Sequence, residues 1–185
     1  MMISEHKMRM MMMNRPAFFL PVSAYKAGNE IHIASDKNGF AGLTGGMLLE
    51  EGMFLTVVYK CWFGVTEACS KYIFPEDYEL APERLFVSEG GREIKCEFVP
   101  VNDERRSREG VFEFGLRTVC ADAMCALTEK LNVLSDGSAE VLTKEVVKIF
   151  TAYRGDIRRT GREISKLRKS IWIMRGGELS RGLDL

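Results

Sequence analysis

Hydrophobic and polar positions along the chain follow two different periods. Up to residue 119 the apolar residues come in short clusters, several of them alternating with polar side chains in the manner of a half-buried strand. Residues 17–25 are rich in aromatic and β-branched side chains, with Pro21 placing them at an edge or a bulge. Glu30-Ile31-His32-Ile33 alternates, and Ser35-Asp36-Lys37-Asn38-Gly39 has the composition of a turn. Residues 47–49 and 53–63 predict two further strands around Glu50-Glu51-Gly52, and residues 84–88 and 92–101 flank Glu89-Gly90-Gly91 as a hairpin. Residues 64–83 are looser, with Pro75 and Pro82 marking irregular connections, and residues 111–119 add a strand with Phe112, Phe114 and Leu116 on one face. Strands at this spacing predict a small antiparallel barrel or sandwich.

Beyond residue 119 the period becomes helical. Met124, Leu127, Leu131 and Leu134 recur at three- and four-residue spacing, and Ser135-Asp136-Gly137 is a stop signal followed by Ser138 and Glu140 as a new helix start. From 139 to 175 the apolar positions interleave in heptads: Phe150, Ile157, Ile164 and Ile171 in one series, Val146, Tyr153, Thr160, Leu167 and Met174 in the other. Such a seam predicts one long amphipathic helix that pairs in a coiled coil, with Glu163 and Arg168 in g and e positions, and hence a homo-oligomer. The expected fold is mainly β with C-terminal helices: a small antiparallel β-barrel, then a short helix, then a long heptad-patterned helix. Its expected organisation is a Met-rich disordered segment at 1–14, a barrel with closing helix at 15–135, an oligomerisation helix at 138–175 and a flexible tail at 176–185.

Composition narrows the function classes. The 26 basic and 26 acidic side chains cancel. The longest apolar run, residues 53–65, is interrupted by Lys60 and falls short of the roughly 20 residues needed to span a bilayer, so membrane insertion is not expected. The five cysteines, Cys61, Cys69, Cys96, Cys120 and Cys125, form no Cys-x-x-Cys, which fits reduced, mostly buried thiols in a cytoplasmic protein better than a disulfide framework or a zinc ribbon. His6, Met8 and Met10 are donors suited to copper(I), but a frayed terminus does not fix a coordination geometry, and no metal site is expected.

Candidate chemistry is sparse. The Gly39 to Gly46 stretch is glycine-rich, yet no Lys-Ser or Lys-Thr pair follows it, so it reads as a turn. Glu76-Asp77 and Asp103-Glu104 are neighbours on charged loops, which is not the opposed arrangement general acid-base work requires. His6 and His32 are the only histidines, nothing supports a Ser-His-Asp or Cys-His site, and His32, alternating with Ile31 and Ile33, reads as an outward-facing strand histidine; catalytic residues are not assigned. The main charge asymmetry lies in the C-terminal helix, where Arg154, Arg158, Arg159, Arg162, Lys166, Arg168, Lys169 and Arg175 face only Asp156 and Glu163. A basic helix of this kind suits nucleic acid, and Gly155 to Gly161 resembles the opening of a helix-turn-helix. The heptad runs through that stretch without a phase shift, which favours the solvated exterior of a coiled coil, with DNA binding as the alternative.

The order of elements resembles a PilZ domain, a small β-barrel family that receives cyclic di-GMP in many bacteria. Arg15-Pro16-Ala17-Phe18-Phe19-Leu20-Pro21-Val22 resembles the lead-in and first strand. Leu43-Thr44-Gly45-Gly46-Met47-Leu48-Leu49 with Gly52 resembles the Asp-x-Ser-x-x-Gly turn and following strand, and Phe114 to Val119 with the helix from Ala121 resembles the closing strand and helix. The ligand motifs are degenerate: the Arg-x-x-x-Arg pair is absent and Thr44 stands where Ser is expected. The resemblance implies a divergent, non-catalytic bacterial regulatory protein working through protein contacts and self-association. Any residual cyclic di-GMP site would use Arg9, Arg15, Thr44, Gly45 and Gly46.

Overall fold

A computed structural model, described over residues 5–28, 30–44, 49–101, 116–135, 137–154 and 156–174, is built around a buried helix. The described helices are α1 (Glu5–Asn14), α2 (Glu51–Ser70), α3 (Leu116–Leu134), α4 (Glu140–Ala152) and α5 (Ile157–Met174). The strands are β1 (Val22–Ala27), β2 (Glu30–Ser35), β3 (Phe40–Gly42), β4 (Leu85–Ser88) and β5 (Ile94–Cys96). They form a two-stranded ribbon, β1-β2, and a three-stranded antiparallel sheet, β3-β4-β5. Neither closes, so the mainly β fold with a barrel is corrected: the described residues are predominantly helical, with two small open sheets.

The decisive difference is α2. Phe54, Leu55, Val57, Val58, Cys61, Trp62 and Val65 are fully buried on it, and β5, α3 and α5 all pack against it. The less buried side of α2 carries Tyr59, Phe63 and Gly64 beside Lys60 and Glu67, so its two faces differ little in polarity and the 3.6-residue period is blurred in the sequence. Its Thr56-Val57-Val58-Tyr59 run has strand-forming side chains, and tertiary burial overrides that preference.

Gly64 of α2 lies beneath Phe18: a Cβ there would stand 2.0 Å from Phe18 Cδ2. The segment bearing Phe18 is clamped by Glu67, whose carboxylate accepts the Ala17 and Phe18 amides at 3.0 and 3.2 Å and the Lys71 ammonium at 2.8 Å. Partial burial pulls the Glu67 carboxyl upward, but the Lys71 and amide hydrogen bonds outweigh it and hold it below the ordinary carboxylate value. Beyond the clamp, Cys96 N–H donates to Phe18 O and Leu20 N–H to Cys96 O, joining this segment to the edge of the sheet.

The hairpin at Glu89-Gly90-Gly91 is present, with Gly90 and Gly91 at φ of 88° and 70°, conformations glycine adopts without strain. Residues 64–83 divide in two. They complete α2 and then line the core through Ile73, Tyr78, Ala81 and Pro82. The expected strand at 111–119 is not formed where it can be followed: residues 111–115 lie outside the described chain and Leu116–Val119 open α3. Residues 5–14 form α1, with Met11 buried, while the side chains of His6, Met8 and Met10 are not among those described.

The long C-terminal helix is corrected to two. Tyr153 N–H donates to Ile149 O as α4 ends, Asp156 N–H donates to Tyr153 O at 2.7 Å, and Asp156 Oδ1 caps α5 by accepting Arg159 N–H at 2.9 Å. The turn takes up about as many residues as the heptad spacing needs between Phe150 and Ile157, so the apolar series continues while the helix does not.

Candidate nucleic-acid interface

α5 divides its surface sharply. Thr160, Gly161 and Ile164 are buried, and Ile157, Leu167 and Ile171 pack half-buried against the core. Trp62 Nε1–H donates to Ile157 O at 3.4 Å, and the Thr160 hydroxyl donates to Tyr153 O at 3.1 Å. Gly161 lies against α2, where a Cβ would meet Phe63 Cζ at 3.1 Å and Trp62 Nε1 at 3.4 Å. Together these contacts fix the rotation of α5 about its axis, and with it which side chains face solvent.

The side facing out is basic. Arg158, Arg162, Lys166 and Lys169 are exposed at spacings of four, four and three, which aligns them along one stripe of the helix. Arg159 lies beside them with its guanidinium 4.3 Å from the centre of the Tyr153 ring, and Lys166 pairs with Glu163 at 2.8 Å. Arg168 turns inward over Tyr59, 4.7 Å from its ring centre. Arg154 pairs with Asp122 of α3. Arg158, Arg162 and Lys169 make no ion pair among the described residues.

The other sequence-derived sites lie elsewhere. Of the heptad seam, Val146, Phe150, Thr160 and Ile164 are buried within the chain itself, and Tyr153, Ile157, Leu167 and Ile171 are half-buried; the Met174 side chain is outside the description. Phe150 packs on Trp62 with ring centres 5.2 Å apart, so part of the seam is occupied by α2. Arg9 is exposed on α1, and Arg15 is exposed just beyond it, donating from Nε to Met12 O at 3.2 Å. Thr44 is exposed in the turn after β3, while Gly45 and Gly46 lie outside the described residues. No described hydrogen bond joins Arg15 to Thr44. His32 stacks on Tyr25 with ring centres 5.2 Å apart, and Asp77 accepts the Phe74 amide within a turn.

Among the described residues no three His, Cys, Asp or Glu side chains are placed to hold a metal ion, and no helix is long and apolar enough to cross a membrane. No protein-family model matches the chain, and comparison with characterised proteins finds no match. The sequence already carried the basic cluster. What it lacked was the orientation of α5, because that depends on Trp62 and Phe63, almost a hundred residues earlier.

Proposed function

We propose that this chain is a non-catalytic regulatory protein that binds duplex DNA through the outer face of α5. One observation carries the reading: a stripe of exposed cations on a helix whose opposite face is locked into the core. The turn at Tyr153–Asp156 supplies the break between α4 and α5 that a helix-turn-helix reader requires. An 18-residue helix is about 27 Å long and fits the major groove, which admits a single helix. Arginine and lysine at this spacing reach phosphates on the flanking strands, and affinity then comes from displaced counterions, independent of the chain's overall neutrality.

Fluorescence anisotropy with a duplex of about 25 base pairs, over a series of salt concentrations, tests the reading. The log–log salt slope is expected near −3 to −4 for three or four phosphate contacts, and the Arg158→Ala/Arg162→Ala/Lys169→Ala variant is expected to lose about 2 to 3 units of it. Arg159 is kept, because its stack on Tyr153 ties it to the helix start. Absence of binding at low salt, or an unchanged slope in the variant, removes the proposal.

A further inference from the structure

Outside α5, two cysteines make a close contact between nucleophilic side chains. Cys69 in the last turn of α2 and Cys120 near the start of α3 bring their sulfurs to 2.9 Å, both buried. That separation is well inside sulfur–sulfur van der Waals contact and within about 0.9 Å of a disulfide bond length. We infer that Cys69 and Cys120 form a redox-modification site, oxidised by hydrogen peroxide to an intramolecular disulfide that ties the end of α2 to α3.

Cys69 sits one residue before the end of α2, beyond the Phe54–Val65 stretch of the core. Either sulfur of the pair can donate to the other; the contact with Cys69 lowers the Cys120 thiol, outweighing its burial, while the same contact and burial raise Cys69. The other buried thiols are apart from this pairing. Cys61 and Cys96 have their ionisation pushed up by burial first of all, which leaves them as inert thiols. Burial of the pair favours a small neutral oxidant over a bulky disulfide.

The chemistry balances in two steps. The Cys120 thiolate attacks one peroxide oxygen; the S–O bond forms, the O–O bond breaks, and the departing hydroxide takes up the Cys120 proton as water. Sulfur is oxidised by two electrons to a sulfenic acid and peroxide is reduced by two. The Cys69 sulfur then attacks the sulfenic sulfur, an S–S bond replaces the S–O bond, and hydroxide leaves with the Cys69 proton as the second water. The reaction makes no use of α5 and stands or falls independently of DNA binding.

The test uses the full chain, reduced and then treated with hydrogen peroxide. Thiol titration after denaturation should fall from five groups to three, with peptide mapping placing the bridge between Cys69 and Cys120 and dithiothreitol restoring both thiols. In Cys69→Ser the bridge cannot close, and dimedone should label Cys120 as the trapped sulfenic acid. Five surviving thiols in the wild-type chain, or a bridge mapped to any other pair, Cys61 with Cys96 included, overturns the inference; neither result depends on a variant folding.

Discussion

α2 and α5 are helices of 20 and 18 residues that pack on one another, yet they do opposite jobs. α2 buries ten of its twenty residues, including Trp62, Phe54 and Leu55 with no exposed surface. α5 buries a stripe and turns a row of cations to solvent. A helix with so broad a buried face can stabilise and align its neighbours, but offers a partner little. The half-covered helix can present chemistry, and it does so in a fixed direction because the other helix holds it. Substitutions on α2 should therefore change stability, and substitutions on the outer face of α5 should change binding alone.

The largest expected effect is at Gly64. Gly64→Ala drives a methyl group into the Phe18 ring, which is itself buried against Phe19, and should cost about 3 kcal/mol or more, at the upper end of overpacking. A urea midpoint equal to wild type would break the comparison at its stronger end. Glu67→Gln comes next, losing the charge-assisted clamp on Ala17 and Phe18. Because the carboxylate is partly solvated, the expected cost near neutral pH is about 1 kcal/mol.

The sign of its pH dependence follows from a carboxyl held below its ordinary value of 4.5. The stabilisation is complete above about 4.5 and is lost as pH falls through the lower, folded-state value, so the two proteins should converge in acid. Equal urea midpoints at neutral pH would show that the clamp contributes nothing.

Gly161→Ala should be slightly favourable, by about 0.5 kcal/mol. Alanine gains up to about 1 kcal/mol of helix preference, and Phe63, 47% exposed, can move its ring away from the new methyl. A loss of more than about 1 kcal/mol would show that the approach to Trp62 is the tighter limit. Smallest of all, the Arg158→Ala/Arg162→Ala/Lys169→Ala variant should unfold within about 0.5 kcal/mol of wild type. A larger loss would make the stripe structural and remove the contrast between the helices.

The legible parts of the fold were those whose signal is local. Gly90-Gly91 marks the hairpin because those positions need positive φ, and Met124, Leu127 and Leu131 mark α3 because one face is buried. α2 was not legible: its less buried side mixes Tyr59, Phe63 and Gly64 with Lys60 and Glu67, so the contrast in polarity that would announce a helix is weak. The barrel that the PilZ resemblance implied shares that error, since residues 53–63 belong to α2 and are not a barrel strand. The Asp156 cap that divides α4 from α5 was readable in principle, but the heptad masked it because the turn preserved the apolar spacing.

The sequence by itself determined which residues are apolar, which are basic, and that the basic ones gather between residues 154 and 175. These are properties of side chains and their neighbours in the chain. Only the tertiary structure decided that the heptad seam packs in part on α2, that Arg168 turns inward while Arg158 and Arg162 stay outside, and that Cys69 meets Cys120 across 51 positions. The reason is physical: an apolar stripe gains the same free energy against any apolar surface, so the pattern records that a face is buried without recording what covers it.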